Sequence, residues 1–176
     1  MLILSSLRRF LGKREVSGVG SLKERLRKVV LDTGLLVEYI VRKSNYREFL
    51  KELLSAAGEG EIELYVSPVT VAEVYYIASR IYSAAGLPNP DDEALRFATW
   101  VHRKFSVVEM TFDLLIKAGE LKRGLRLAFP DCFVIASAEL VRGSALFKKV
   151  EREMQPVMKQ LKQHNVLFAD EIMARE

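Results

Sequence analysis

Five short apolar runs, each separated from the next by residues at helical spacing, constrain this chain more than any other feature. They are Lys28 to Leu31, Glu61 to Val66, Ser106 to Met110, Ser144 to Phe147 and Asn165 to Phe168. Short runs rich in β-branched and other large apolar side chains, bounded by turn residues, suit buried strands. Between them Leu35, Leu36, Tyr39 and Ile40, then Phe49, Leu50, Leu53 and Leu54, recur three and four residues apart, and Gly58 to Gly60 stops the second series. Ser67-Pro68 opens a long helix through Ala85, because serine caps and proline suits the first turn. Further helices are expected over Asp91 to Lys104, from a Thr111 cap toward Leu127, from Asp131 to about Val141, and over Glu151 to Gln163 with a bend at Pro156. Strands alternating with helices imply an α/β fold: a mostly parallel central sheet with helices on both faces.

At 176 residues and 49% hydrophobic, the chain suits one domain with a sizeable core. The sequence divides into a basic N-terminal extension (1–27), a folded domain (28–170) and a polar tail (171–176). The net charge of +4 is uneven: residues 1–28 hold eight basic side chains and two acids, so the remainder is acidic by two. Such an extension suits nucleic acid or an anionic surface, or simply solvent. Its Leu2, Ile3, Leu4, Leu7, Phe10 and Leu11 also fit an amphipathic helix, with Ser17 to Ser21 as a flexible joint. One cysteine, Cys132, excludes an internal disulfide and a cysteine zinc cage. His102 and His164, the only histidines, leave little material for a histidine-based site. No apolar run approaches the ~20 residues of a membrane span, and Met1 to Leu4 is too short for a signal peptide. A cytoplasmic protein is expected.

Three acids sit where apolar elements change type: Val-Val-Leu-Asp32-Thr-Gly, Val-Thr-Val-Ala-Glu73-Val-Tyr-Tyr, and Ala-Phe-Pro-Asp131-Cys-Phe-Val-Ile. A carboxylate beside apolar surface is costly unless paired or bound to a cation. In an open α/β sheet the functional crevice lies beyond the carboxyl ends of the strands, where Asp32 falls. Acids drawn from separate elements suggest an oxygen-ligand cage of the kind Mg²⁺ or Mn²⁺ prefers. Each acid also has a plainer role: Asp32 as a turn cap, Glu73 as a solvated helix residue, Asp131 as a first-turn acid favoured by the helix dipole.

These motifs, in this order, resemble a PIN domain, the ribonuclease fold used by VapC-type toxins of toxin–antitoxin pairs. The resemblance runs from Lys28 to about Phe168. It implies metal-dependent endonucleolytic cleavage of RNA leaving a 5′-phosphate, with Asp32, Glu73 and Asp131 as catalytic, Mg²⁺- or Mn²⁺-binding acids. It also implies a fourth acid after the next strand, where this chain has Glu151-Arg-Glu153-Met. On a helix, residues two apart diverge, so only one of the two should face the site; Glu151 is favoured and Glu153 is the alternative. The implied partners are an RNA substrate, an antitoxin protein and a second copy of the chain. The other readings are a catalytically weak or inactive PIN-like RNA- or protein-binding module, and a housekeeping RNA-processing nuclease. Asp32-Thr-Gly also spells the aspartic-protease triplet, but a helical segment follows at once and no second triplet exists. A haloacid-dehalogenase-like phosphatase needs another aspartate where Gly34 stands.

Lys43, Arg47, Lys122, Arg123, Arg126, Lys148 and Lys149 are the cations available to line a substrate path. The apolar surplus between Val69 and Phe105, including Tyr75, Tyr76, Tyr82, Leu95 and Trp100, is expected to contribute to a homodimer contact.

Overall fold

Alternation along each strand builds this protein, because successive side chains of a strand point to opposite faces of the sheet. The computed structural model describes residues 22–174. The expected amphipathic helix, the joint and most of the basic extension therefore lie outside the described residues. The strands are β1 (Lys28–Leu31), β2 (Glu63–Val66), β3 (Ser106–Val107), β4 (Ser144–Phe147) and β5 (Val166–Phe168). They form one parallel sheet in the order β3-β2-β1-β4-β5, with β1 at the centre. Leu31 lies opposite Val66 on one side and Leu146 on the other.

The helices are α1 (Leu22–Arg25), α2 (Thr33–Leu36), α3 (Tyr46–Gly58), α4 (Pro68–Ala84), α5 (Pro90–Lys104), α6 (Phe112–Leu125), α7 (Phe129–Leu140), α8 (Met158–Gln163) and α9 (Ala169–Met173). Two cores result. Val29, Leu31, Leu64, Val66, Leu146 and Leu167 face one way, against α3, α4, α5 and α9. Val30, Ala145, Phe147, Val166 and Phe168 face the other, against α6, α7 and α8. The doubly covered α/β architecture expected from the alternating pattern is the one observed. Ser67 caps α4 and Thr111 caps α6, each side-chain oxygen accepting from an N–H three residues on.

Several elements differ from the sequence expectation. β3 has only two residues, because it is an edge strand with one neighbour; a further bond, Val108 N–H to the Val66 carbonyl, ends the pairing. The helix expected over Glu151 to Gln163 is absent from its first half: residues 148–154 are irregular, a 3₁₀ turn covers Gln155–Val157, and only then does α8 begin. Pro156 lacks the N–H a continuous helix needs there. At the carboxyl end, α9 runs past residue 170 and buries Ile172, so the folded unit includes part of the stretch taken as a polar tail.

Much of the aromatic surplus of α4 and α5 is consumed internally. Phe97 and Val101 are buried, and Trp100 stacks on Tyr39 at 4.9 Å and on Phe97 at 5.6 Å. Among the described residues of that region, Tyr75, Tyr76 and Leu95 stay exposed. A larger exposed apolar set is Met110, Phe112, Leu115 and Ile116, on and before the first turns of α6. No helix among the described residues is long and apolar enough to cross a membrane.

Gly143 joins α7 to β4 where the chain passes against β1. A Cβ there would lie 2.4 Å from the Lys28 carbonyl oxygen, which belongs to the central strand and cannot yield. Gly143→Ala is expected to destabilise the protein by about 1–3 kcal/mol, the usual cost of overpacking. A denaturant midpoint equal to wild type would show that β1 and β4 separate more readily than this packing implies.

Candidate acidic active site

Asp32 directly follows β1, and its N–H donates to the Leu146 carbonyl at 3.0 Å, so the β1–β4 pairing fixes its backbone. The side chain turns back to cap α2: Oδ2 accepts from the Gly34 N–H at 2.8 Å. Gly34 permits this approach, since a Cβ there would stand 3.0 Å from that same oxygen. The carboxylate that caps α2 therefore also lies within reach of the charges of Glu73 and Glu151.

Glu73 reaches the same place from the second turn of α4. The buried Thr33 hydroxyl donates to Glu73 Oε2 at 2.9 Å, joining two of the expected acids through one residue. The sequence drew attention to Asp32-Thr33 without assigning this bridge; the only signal was a hydroxyl next to the acid. Asp131 enters from the first turn of α7, a helix buried from Cys132 through Ala138. Only its amino-terminal end can offer a polar side chain to the crevice.

The fourth position departs from expectation. Because residues 148–154 form no helix, Glu151 and Glu153 do not diverge as helical neighbours would. The Met154 N–H donates to the Glu151 carbonyl at 3.0 Å, closing a turn anchored by the buried Met154. Glu153 Oε1 accepts from the Ala128 N–H at 3.2 Å and its carboxyl shares a hydrogen bond with Asp131. Glu151 acts by charge on both Asp32 and Asp131. Both glutamates thus belong to the cluster, and with Arg152 they line a cleft of about 470 Å³.

Electrostatics mark the crowding. Burial, with the like charges of Glu73 and Glu151, pushes Asp32 up to about 7, against the pull of the Gly34 and Thr33 N–H groups. Burial, then the charges of Asp32, Glu151 and Glu153, pushes Asp131 up to about 8. Burial also raises Glu73, partly offset by the Thr33 hydroxyl. Neighbouring carboxylates without a cation cannot all ionise cheaply. The donor set is oxygen only and lacks a positive partner at its centre, which fits a hard divalent cation by chemistry. Among the described residues, however, no three acid, histidine or cysteine side chains stand ready arranged as a metal cage. The acids are instead turned toward Gly34, Thr33 and Ala128.

Other candidates lie elsewhere or are engaged. Burial and the Asp131 charge push the Cys132 thiol up to about 11, which removes it as a nucleophile. His164 pairs with Glu139 at the far end of α7, and Lys117 meets the same carboxylate at 2.8 Å. Lys148 is tied to Glu38 and lies over the Tyr46 ring. Lys122 donates to the Leu127 carbonyl, and Arg47 stacks on Tyr39. Lys43, Arg123, Arg126 and Lys149 remain exposed.

Two solved structures show this fold. A toxin–antitoxin complex from Klebsiella pneumoniae is 16% identical, with a TM-score of 0.52, over 79% of this chain and 95% of that one. VapBC2 from Rickettsia felis, bound to a DNA fragment from its promoter, is 14% identical, with a TM-score of 0.56, over 80% and 98% of the two chains. No curated protein matches the sequence. The family model for the PIN domain matches residues 29–152, a span that begins in the central strand and contains Asp32, Glu73, Asp131 and Glu151. The chain belongs to the PIN domain family, whose members are in general nucleases.

Proposed function

We propose that this protein is a Mg²⁺- or Mn²⁺-dependent endoribonuclease, acting in the cytoplasm as the toxin of a toxin–antitoxin pair. The observation that carries the reading is the buried acid cluster: Asp32 and Asp131, from different elements, are both raised toward neutrality by burial, and the Asp32 charge adds to the rise at Asp131. Asp32, Glu73, Asp131 and Glu151, with Glu153 as the alternative fourth acid, are the proposed ligands. A divalent cation held by them would supply Lewis acidity toward the phosphate and a nucleophilic water near neutral pH. The chain's own part is positional. The β1–β4 pairing fixes Asp32, Thr33 orients Glu73, and Ala128 orients Glu153 beside Asp131. In the proposed hydrolysis the water oxygen bonds to phosphorus, the P–O3′ bond breaks, and the 3′ oxygen takes a proton, leaving a 5′-phosphate. The antitoxin partner is supported by the toxin–antitoxin complexes among the structural neighbours.

A catalytically silent PIN module, or a housekeeping RNA-processing nuclease, is the competing reading. The engagement of the acids with protein donors favours the silent module. Cleavage of a mixed RNA pool decides between cutting and binding. Asp32→Asn keeps the shape and loses the charge, so activity with Mg²⁺ or Mn²⁺ should fall at least about 100-fold. Equal cutting by both proteins, or cutting that persists in EDTA, removes the mechanism.

The raised carboxyls also tie stability to pH. The folded protein retains protons on Asp32 and Asp131 that the unfolded chain releases near 3.8. Their contribution is therefore fully present below that value and is lost as pH rises through about 7 and about 8. Without metal, the melting temperature should fall as pH rises from about 4 to about 8 and level off above that. Asp131→Asn should flatten that fall, leave metal-free stability unchanged or higher, and abolish stabilisation by Mn²⁺. A large loss of metal-free stability would instead mark Asp131 as an acid serving the α7 dipole.

We further propose a homodimer. Among the described residues the exposed large apolar side chains group most densely not on α4 and α5 but at Met110 (49% exposed), Phe112 (74%), Leu115 (45%) and Ile116 (48%). Phe112, Leu115 and Ile116 share one side of α6, opposite the buried Leu114, Ala118 and Leu121. Light scattering on the purified chain should give twice the monomer mass, and Phe112→Glu should give the monomer. A wild-type monomer at micromolar concentration ends the dimer proposal.

A further inference from the structure

Beyond Glu73, α4 carries an aromatic ring and a guanidinium that the hydrolysis described above does not use. Tyr76 follows Glu73 by three residues and Arg80 by seven, so both fall on the Glu73 side of the helix. A helical side chain leans toward the amino terminus of its helix, which aims Tyr76 back toward the turn holding Glu73. The ring is 58% exposed, yet it is held. The Arg80 guanidinium carbon lies 5.6 Å from the ring centroid, and Nη1 donates to the Tyr76 hydroxyl oxygen at 3.1 Å. Among the described residues no carboxylate pairs with Arg80.

A pinned ring with one guanidinium and, among the described residues, no paired carboxylate, on the Glu73 side of α4, has the chemistry of a nucleotide subsite. Single-stranded nucleic acid is bound by stacking bases on aromatic side chains and arginine planes, while cations follow the phosphates. A protein contact would favour a continuous apolar stripe such as the one on α6. Here the exposed pair is an aromatic ring with a polar tip and an unneutralised charge. Arg80 adds positive charge beyond the Arg152 that lines the cleft, where Asp32, Glu73, Asp131, Glu151 and Glu153 together repel a polyanion.

We propose that Tyr76 and Arg80 form a stacking subsite for one nucleotide of single-stranded RNA flanking the bond to be cut. The base lies on the ring face turned away from Arg80, and a neighbouring phosphate meets the guanidinium. The subsite rests on the ribonuclease reading and deepens it: RNA already paired in a duplex keeps its bases inside the stack and cannot use it.

The test measures fluorescence anisotropy of a short labelled oligoadenylate with the full chain in EDTA, where binding is read without turnover. Tyr76→Ala should weaken binding at least about five-fold, the low end of what one base–aromatic stack contributes, and Tyr76→Trp should restore it. Arg80→Ala should reduce the slope of log affinity against log salt by roughly 0.7, one phosphate contact on a single strand. Tyr75→Ala is the control. Tyr75 is 40% exposed and lies about 200° around the helix from Glu73, so its loss should leave binding unchanged. With Mg²⁺ present, Tyr76→Ala should raise KM and leave kcat as it was. If Asp32→Asn abolishes cutting while Tyr76→Ala keeps wild-type affinity and KM, the subsite is wrong and the ribonuclease reading stands. If wild type neither binds nor cuts RNA, both fall. If Tyr76→Ala changes the mass seen by light scattering but not RNA affinity, the face is a protein contact and the subsite is overturned.

Discussion

Crowded carboxylates at the carboxyl end of the central strand are the constraint on which the rest of this structure depends. Asp32 has no freedom to leave: its backbone completes the β1–β4 pairing and its side chain caps the next helix. Asp131 is equally fixed, because α7 is buried from Cys132 through Ala138 and its first turn meets the crevice. Burial of these two groups, with like charges beside them, opposes their ionisation and raises both carboxyls toward neutrality. The fold accepts the cost and stabilises itself elsewhere, through two apolar cores on either side of one parallel sheet.

The support of the site is layered. Thr33 is buried and lends its hydroxyl to Glu73; Met154 is buried and sets the turn that presents Glu151 and Glu153. Glu153 also binds the Ala128 N–H, which ties this turn to the start of α7 and so to Asp131. A shift of any of these packed residues would move a carboxylate, and positions in such sites tolerate displacements well below 1 Å. Gly143 marks a place where the backbone of a neighbour approaches too closely for a Cβ, and at Gly34 a Cβ would press on the Asp32 carboxylate at 3.0 Å.

Much of the fold was legible in the sequence because its signals were local. β1 and β4 occupy the residues their apolar runs delimit, and α4 begins at its Ser67-Pro68 signal and α6 at its Thr111 cap. The misreadings occurred where local pattern and tertiary context disagreed. Ser106 to Met110 looks like a strand, but an edge position gives it one partner and only two paired residues. Glu151 to Gln163 looks helical, yet Pro156 interrupts it and burial of Met154 fixes a turn instead. That one change reversed the reasoning about the fourth acid, since divergence of Glu151 and Glu153 follows from helical geometry alone.

By itself the sequence determined the alternation of strands and helices, the two-faced parallel sheet, and the acids that terminate its elements. Each of those follows from hydrophobic period, capping chemistry and the cost of a carboxylate beside apolar surface, all of which act within a few residues. Only the tertiary structure decided which acids influence one another, that Thr33 bridges to Glu73, that both glutamates join the cluster, and that Trp100 turns inward to stack while Phe112 stays in water. The reason is physical: charge coupling and burial depend on distances between residues tens of positions apart, and those distances are fixed by how the sheet and its two helical layers close, not by the residues on either side.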